Sequence, residues 1–306
     1  MHEPPCLYAC VCAQTKDGKI VADAAERTSC PSIFAIGRAH PSILFLPLAH
    51  SFGRLIQFSA VYANLPLVIS SVPTLIADAT SSRPGFFPAA PRVYEKMKSK
   101  IEAAVAGSPP LRQKIFYWAL NTGKETIPYR STGKPVPGLL SFRLAIADKI
   151  VLSKLRAKLG LDRADALLSG SAPLDADVLR FFLAIGLDLL EGYGLTETCP
   201  ALTCNTPGNI RVGTVGKALP NVTIMIAEDG EILAKGPNIT KGYLNRPEST
   251  TDAFNDDQWF MTGDLGSVDD EGFVKITGRK KELIKTSGGK YVAPAKIEGR
   301  LKGLTF

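Results

Sequence analysis

The 306-residue chain has no Gly-x-x-x-x-Gly-Lys-[Ser/Thr] loop, no basic residue before Lys16 and no repetitive or low-complexity tract. The first absence excludes the P-loop way of cradling phosphates, since Gly18-Lys19 stands isolated. The second denies the N-terminus the charged start of a secretory signal, so a cytoplasmic protein is expected. Cysteine is sparse: Cys6, Cys10, Cys12 and Cys30 fit no zinc or iron–sulfur spacing, and Cys199 and Cys204 read as thiols in a reducing compartment. Leu55 to Ala77 carries no charge over 23 residues, but Gln57, Asn64, Pro66 and Pro73 interrupt it. A helix-turn-strand pair buried in a sheet is therefore predicted in place of a membrane span.

Hydrophobic residues make up 45% of the chain and charged ones 21%, enough for a substantial core and about two domains. Apolar runs near 43–46, 66–70, 164–169 and 187–191 alternate with helical patterns, which predicts an α/β fold with a mainly parallel sheet. From Gly213 the texture changes. Val222–Ala227 and Glu231–Lys235, joined by Asp229-Gly230, predict an antiparallel β subdomain. The net charge of +7 is uneven: Arg92 to Lys158 holds 14 Lys and Arg against 4 Asp and Glu. There Leu140, Leu144, Ala147, Val151, Leu155 and Leu159 recur at helical spacing, with Arg143, Lys149, Arg156 and Lys158 around them. A surface helix packed on the sheet accounts for this; a cationic face over residues 92–158 for anionic membrane is the alternative. Nucleic acid is not an expected partner.

The most informative segment is Glu191-Gly-Tyr-Gly-Leu-Thr-Glu-Thr198, which follows the apolar run Leu187–Leu190 and so leaves a buried strand where an open α/β sheet places its ligand crevice. Gly192 and Gly194 allow close backbone approach, and Tyr193 offers a flat face for a nucleobase. Thr196 brings a hydroxyl for a phosphate oxygen, and Glu197 a hard oxygen ligand for magnesium. The alternative is a glycine-bounded turn with a helix N-cap at Thr196. Upstream, Leu167–Leu174 ends a strand in a small-residue turn with room for a base. Downstream, Trp259–Asp264 sets Asp264 after an aromatic strand, suited to accepting both hydroxyls of a ribose, or else as a plain turn residue. Ile276–Ile284 supplies Arg279, whose fork binds ribose or phosphate oxygens, and Ser287–Lys290 is a flexible glycine turn.

The ordered series GSAPL, EGYGLTET, GTVGKALP, GEILAKGPNITKGYLNRPE, WFMTGDLG and ITGRKKELIKTSGGKYVAP resembles the adenylate-forming acyl-CoA synthetases. Phe45–Arg54 and Pro88–Met97 resemble the long-chain fatty acid–CoA ligases among them. The resemblance implies ATP-dependent activation of a long-chain fatty acid through an acyl-adenylate, then transfer to coenzyme A. It implies that Gly170, Ser171 and Ala172 with Tyr193 and Gly194 frame the adenine, that Thr196 touches the α-phosphate and that Glu197 holds Mg2+. By the same resemblance Asp264 and Arg279 would grip the ribose. Lys281 falls at the hinge of the small domain, Gly288 and Gly289 on the coenzyme A path, and His50 where acyl tunnel and thiol entrance meet. Without the resemblance, His50 reads first as a hydrogen-bonded core histidine, and Lys280, Lys281 and Lys285 as a solvated face, Lys280 above all.

The expected organisation is an unmatched segment 1–40, a partial AMP-binding α/β subdomain 41–212, a β-rich subdomain 213–280, and hinge with the start of a small C-terminal domain at 281–306. A shifted reading frame or alternative start is the expected source of residues 1–40. The family's phosphate loop and the lysine of its small domain have no counterpart here, so impaired ligase activity is expected. A non-catalytic nucleotide- or acyl-binding remnant stays open, as does an adenylate-forming ligase that loads a carrier protein.

Overall fold

The computed structural model describes residues 40–282, 284–285 and 291–292. Strand β1 (Ser42–Leu44) leads into helix α1 (Ser51–Tyr62), edge strand β2 (Leu67–Ile69) and helix α2 (Leu75–Ser82). This is the predicted helix-turn-strand unit, with one correction. β2 is the outermost strand and Ile69 is 71% exposed, so the strand is not buried.

Strand β3 (Phe86–Ala89) and helices α3 (Pro91–Ala106) and α4 (Pro110–Arg130) follow. Sequence periodicity missed β3 because Pro88 lacks the N–H a central strand uses. β1 meets β3 only at Ser42 opposite Phe86, so Pro88 sits where that ladder has stopped. Helix α5 (Gly138–Ala147), a π turn (Asp148–Leu152) and helix α6 (Ser153–Lys158) form the predicted stripe, burying Ala147 and Leu159 and half-burying its other members. Its cations are partly spent on structure. Arg143 pairs with Glu125 at 3.0 Å, and Arg156 pairs with Asp148 at 2.7 Å and donates to Ile185 O at 2.8 Å. Among the described residues no helix is long and apolar enough to cross a membrane.

Strand β4 (Ala166–Ser169), helix α7 (Ala176–Ala184) and strand β5 (Leu189–Tyr193) complete a parallel run in the order β2-β1-β3-β4-β5. Short strands β6 (Thr203–Cys204) and β7 (Lys217–Ala218) extend it antiparallel. The core lies between this sheet and α3, α4 and α7. There Tyr94 is fully buried, with its hydroxyl 2.7 Å from Phe87 O and its ring edge-on to Phe87 and Phe182. Because the chain goes outward from β1 to β2 and then returns past it to β3, the order reverses beside β1, and carboxyl strand ends there flank a crevice.

The second sheet is antiparallel, as predicted: β8 (Thr223–Ile226), β9 (Glu231–Lys235), β10 (Phe260–Val268) and β11 (Val274–Arg279), in the order β11-β10-β9-β8. Helix α8 (Pro247–Thr251) lies in the β9–β10 connection. A small hairpin pairs β12 (Ile284–Lys285) with β13 (Tyr291–Val292).

Candidate functional site

A cavity of about 370 Å³ opens at the carboxyl ends of the parallel strands. Its apolar wall includes Phe52, Leu55, Leu168, Leu219 and Val222. Its polar wall brings together His50, Gly170, Ser171, Tyr193, Gly194, Thr196, Glu197 and Arg279, all singled out in the sequence. Ala172, Asp264 and the exposed Lys281 do not line it. Gly288 and Gly289 lie outside the described residues.

His50 N-caps α1, its Nδ1 accepting the Phe52 N–H at 3.1 Å, which leaves Nε2 for other partners. The alternative of a core histidine is corrected, since the residue is exposed at the cavity wall. The next residue, Ser51, sets its hydroxyl 3.5 Å from that of Thr196, so the loops after β1 and β5 meet.

Beyond β5 the chain closes on itself. Thr198 is a buried hub: its hydroxyl accepts the Leu195 N–H at 2.9 Å and has Leu195 O at 3.0 Å and Pro200 O at 2.9 Å as acceptors for its one proton. Gly194 makes this possible, because a Cβ there would lie 1.8 Å from Pro200 O. The expected N-cap at Thr196 is displaced by one residue. Leu195 precedes a single 3-10 turn, Thr196–Thr198.

Tyr193 is half-buried, and its hydroxyl donates to Asp264 Oδ2 at 2.7 Å. Burial, then the Asp264 charge, pushes the phenol far above its ordinary value. Asp264 also meets Arg279 Nε at 3.4 Å, so the expected ribose anchor sits at the Tyr193 hydroxyl, bonded to two residues that line the cavity. Burial raises its carboxyl, and the Tyr193 hydroxyl and Arg279 oppose that rise. Glu191, one strand turn earlier, is buried beneath the Gly170–Leu174 loop and accepts the Leu174 N–H at 3.2 Å. Desolvation raises it to about 7, which that hydrogen bond partly offsets.

Sequence reasoning missed the segment that braces Glu197. The Tyr243 hydroxyl donates to Glu197 Oε1 at 3.0 Å, the Thr240 N–H donates to Glu197 O at 2.7 Å, and Asn238 Nδ2 donates to Thr198 O and Ala201 O at 2.8 Å each. These residues fall within the GPNITKGYLN match, which carried no assigned role. Lys280 is exposed, as expected of a solvated face, but it also pairs with Asp229 and the buried Glu231.

The donor set has the chemistry of a nucleotide site, with a flat ring, small-residue backbone, a hydroxyl, a hard carboxylate and a guanidinium. Ser169 Oγ and Asn238 Oδ1, both from residues lining the cavity, are buried with no protein partner. Among the described residues no group of three or more His, Cys, Asp or Glu is placed to hold a metal. The Glu197 carboxylate could offer one hard oxygen ligand to a cation.

Comparison with known proteins agrees with this geometry. The family described as AMP-binding enzyme matches residues 13–244, beginning within the segment that the motifs had left unmatched. The chain is 39% identical over 272 residues to the long-chain-fatty-acid–CoA ligase FadD15 of Mycobacterium bovis, covering 86% of this chain and 44% of that protein. It is 34% identical to the long-chain-fatty-acid–CoA ligase ACSBG2 of Gallus gallus, covering 85% and 35%. The crystal structure of ATP-bound MatB from Rhodopseudomonas palustris superposes with a TM-score of 0.60 at 28% identity, covering 88% of this chain and 45% of that one. The chain therefore spans less than half the length of these relatives. None of these likenesses supports the alternative of a membrane contact through residues 92–158.

Proposed function

The chain belongs to the AMP-binding enzyme family, and on that premise we propose that it binds ATP and a long-chain fatty acid and carries the adenylate-forming half of an acyl-CoA synthetase site. In the proposed reaction a fatty carboxylate oxygen attacks the α-phosphorus of ATP, the bond to the β-phosphate oxygen breaks, and acyl-adenylate and pyrophosphate form. The thiol of coenzyme A then adds to the acyl carbon as AMP leaves with the bond electrons. The thiol proton passes to base or solvent.

One observation carries the reading: the ends of β4 and β5, the loop after β1 and the end of β11 converge on a single cavity with an apolar and a polar wall. The Gly170–Ser171 backbone and the Tyr193 ring sandwich the adenine. Asp264 and Arg279 take the ribose hydroxyls, and Thr196 donates to an α-phosphate oxygen. Glu197 would hold Mg2+, which when bound neutralises phosphate charge. His50 Nε2 faces the place where acyl chain and thiol meet. The apolar residues Phe52, Leu55 and Leu219 receive the start of the acyl chain.

Among the described residues Arg279 is the one lysine or arginine lining the cavity, and it already pairs with Asp264. That favours, as a second reading, a chain that binds nucleotide and acyl group without fast adenylation, because charge on the departing pyrophosphate needs cations. Palmitate-dependent exchange of labelled pyrophosphate into ATP tests the first step, and thioester formation with free coenzyme A against a carrier protein tests the second. Exchange without any dependence on fatty acid would sink the proposed substrate. Nucleotide binding with no exchange would establish the second reading.

A further inference from the structure

Glu231 opens β9, is 5% exposed, and uses both carboxylate oxygens. Oε1 accepts the Gly263 N–H at 2.8 Å, and Oε2 lies 2.8 Å from the Lys280 ammonium, which also reaches Asp229 at 2.6 Å. The reason for the first contact is the strand register. Met261 pairs with Leu233 and Leu265 with Glu231, so β10 advances four residues while β9 advances two, and Thr262–Asp264 bulges out. Backbone N–H groups in a bulge lose their ladder partners. Glu231 supplies one for Gly263, whose φ is +75°, and the Thr262 hydroxyl, itself donating to Ile232 O at 2.7 Å, accepts the Asp264 N–H at 3.1 Å.

The bulge directs Asp264 toward Tyr193 and Arg279, and a buried carboxylate beside it is costly unless paired. Lys280 pairs with it and is held protonated, its pKa pushed well up by hydrogen bonds to Asp229 and Glu231. Two consecutive cations thus serve the two carboxylates either side of Gly263: Arg279 serves Asp264 and Lys280 serves Glu231.

We infer that Glu231 is a positioning residue for nucleotide binding: through the Gly263 N–H it fixes the bulge that aims Asp264 at the ribose, while Lys280 holds the Glu231 carboxylate in place. This rests on the reading of Asp264 as the ribose-binding carboxylate. It also ties the ribose site to the segment leading into Lys281.

The test compares AMP with 2′,3′-dideoxy-AMP, which lacks the hydroxyls Asp264 would hold, by calorimetry on the 306-residue chain and four variants. The wild-type chain is expected to prefer AMP by about tenfold. Glu231→Ala should erase most of that preference while leaving affinity for the dideoxy nucleotide unchanged. Glu231→Gln, which keeps an oxygen for the Gly263 N–H, should restore much of it. A merely structural role would weaken both nucleotides equally, and that result overturns the inference. So does an intact preference in both Glu231 variants when Asp264→Ala has lost it. If Asp264→Ala keeps the preference, the ribose reading fails and the inference with it. Should Glu231→Ala not fold, Lys280→Met decides in the same way: a narrowed preference supports the inference, and an intact one overturns it.

Discussion

The Tyr193 hydroxyl donates to Asp264 Oδ2 at 2.7 Å, joining residues 71 apart in sequence and linking the parallel sheet to the antiparallel one. The bond ties the end of β5 to the bulge of β10, with Tyr193 lining the cavity and the carboxylate held at its hydroxyl. Asp264→Ala is expected to weaken AMP by about 1–3 kcal/mol through lost charged hydrogen bonds. Tyr193→Phe keeps the ring and should cost less. Equal calorimetric affinities for wild type and Asp264→Ala would remove the ribose assignment.

Glu191 gives the fold a pH dependence whose sign is set by burial. Its carboxyl is raised from 4.5 to about 7 in the folded chain, so folding favours the protonated form. Its contribution is fully present below about pH 4.5, is lost as pH rises toward 7, and is flat beyond. The full swing is about 3 kcal/mol. Glu191→Gln keeps an oxygen for the Leu174 N–H and removes the ionisation, so it should be more stable than wild type at pH 8 and about equal at pH 4.5. Urea midpoints at the two pH values measure this; a gap of the same size at both would show that Glu191 does not titrate as placed.

Much of this site is written locally in the chain, and what was illegible is long-range. Gly170, Ser171, Tyr193, Thr196 and Glu197 follow strand ends that apolar runs announce, so strand pattern and turn chemistry were enough to group them. The Pro88 strand was hidden because its tolerance depends on where the β1 ladder stops. Nor does Lys280 look different in sequence from its neighbour Lys281, and both are exposed. Only the fold sets Asp229 and the buried Glu231 against it. Tyr243 and Asn238 brace the Thr196–Thr198 turn from about 40 residues away, a relation that no local pattern encodes.

Gly194 is a close-packing position, so any side chain there must part the strand exit from the Pro200 loop. Gly194→Ala is expected to cost about 1–3 kcal/mol of stability, the range for overpacking, and to weaken AMP because Tyr193 and Thr196 flank the displaced residue. Thermal unfolding with and without AMP reads both effects. An unchanged midpoint would mean that the loop shifts freely and that the glycine is not required for packing.

Glu197 belongs to no group of three or more His, Cys, Asp or Glu placed to hold a metal among the described residues, and one of its oxygens already accepts the Tyr243 hydroxyl. A hard cation that keeps most of its water is held weakly by such a site unless phosphate oxygens complete its shell. Magnesium is therefore expected to bind poorly alone and to strengthen ATP, whose β- and γ-phosphates supply further ligands, far more than AMP. Chelation with EDTA should weaken ATP by about tenfold or more, the scale of one charge-assisted contact, and leave AMP nearly unchanged. Glu197→Gln should remove most of that EDTA sensitivity without altering AMP affinity. Tyr243→Phe, which frees the carboxylate but loosens its orientation, should change the magnesium concentration at half effect and not the AMP affinity. Titrations of ATP and AMP, each with and without magnesium, distinguish these outcomes. A Glu197→Gln chain in which magnesium still strengthens ATP as in wild type would move the cation site elsewhere.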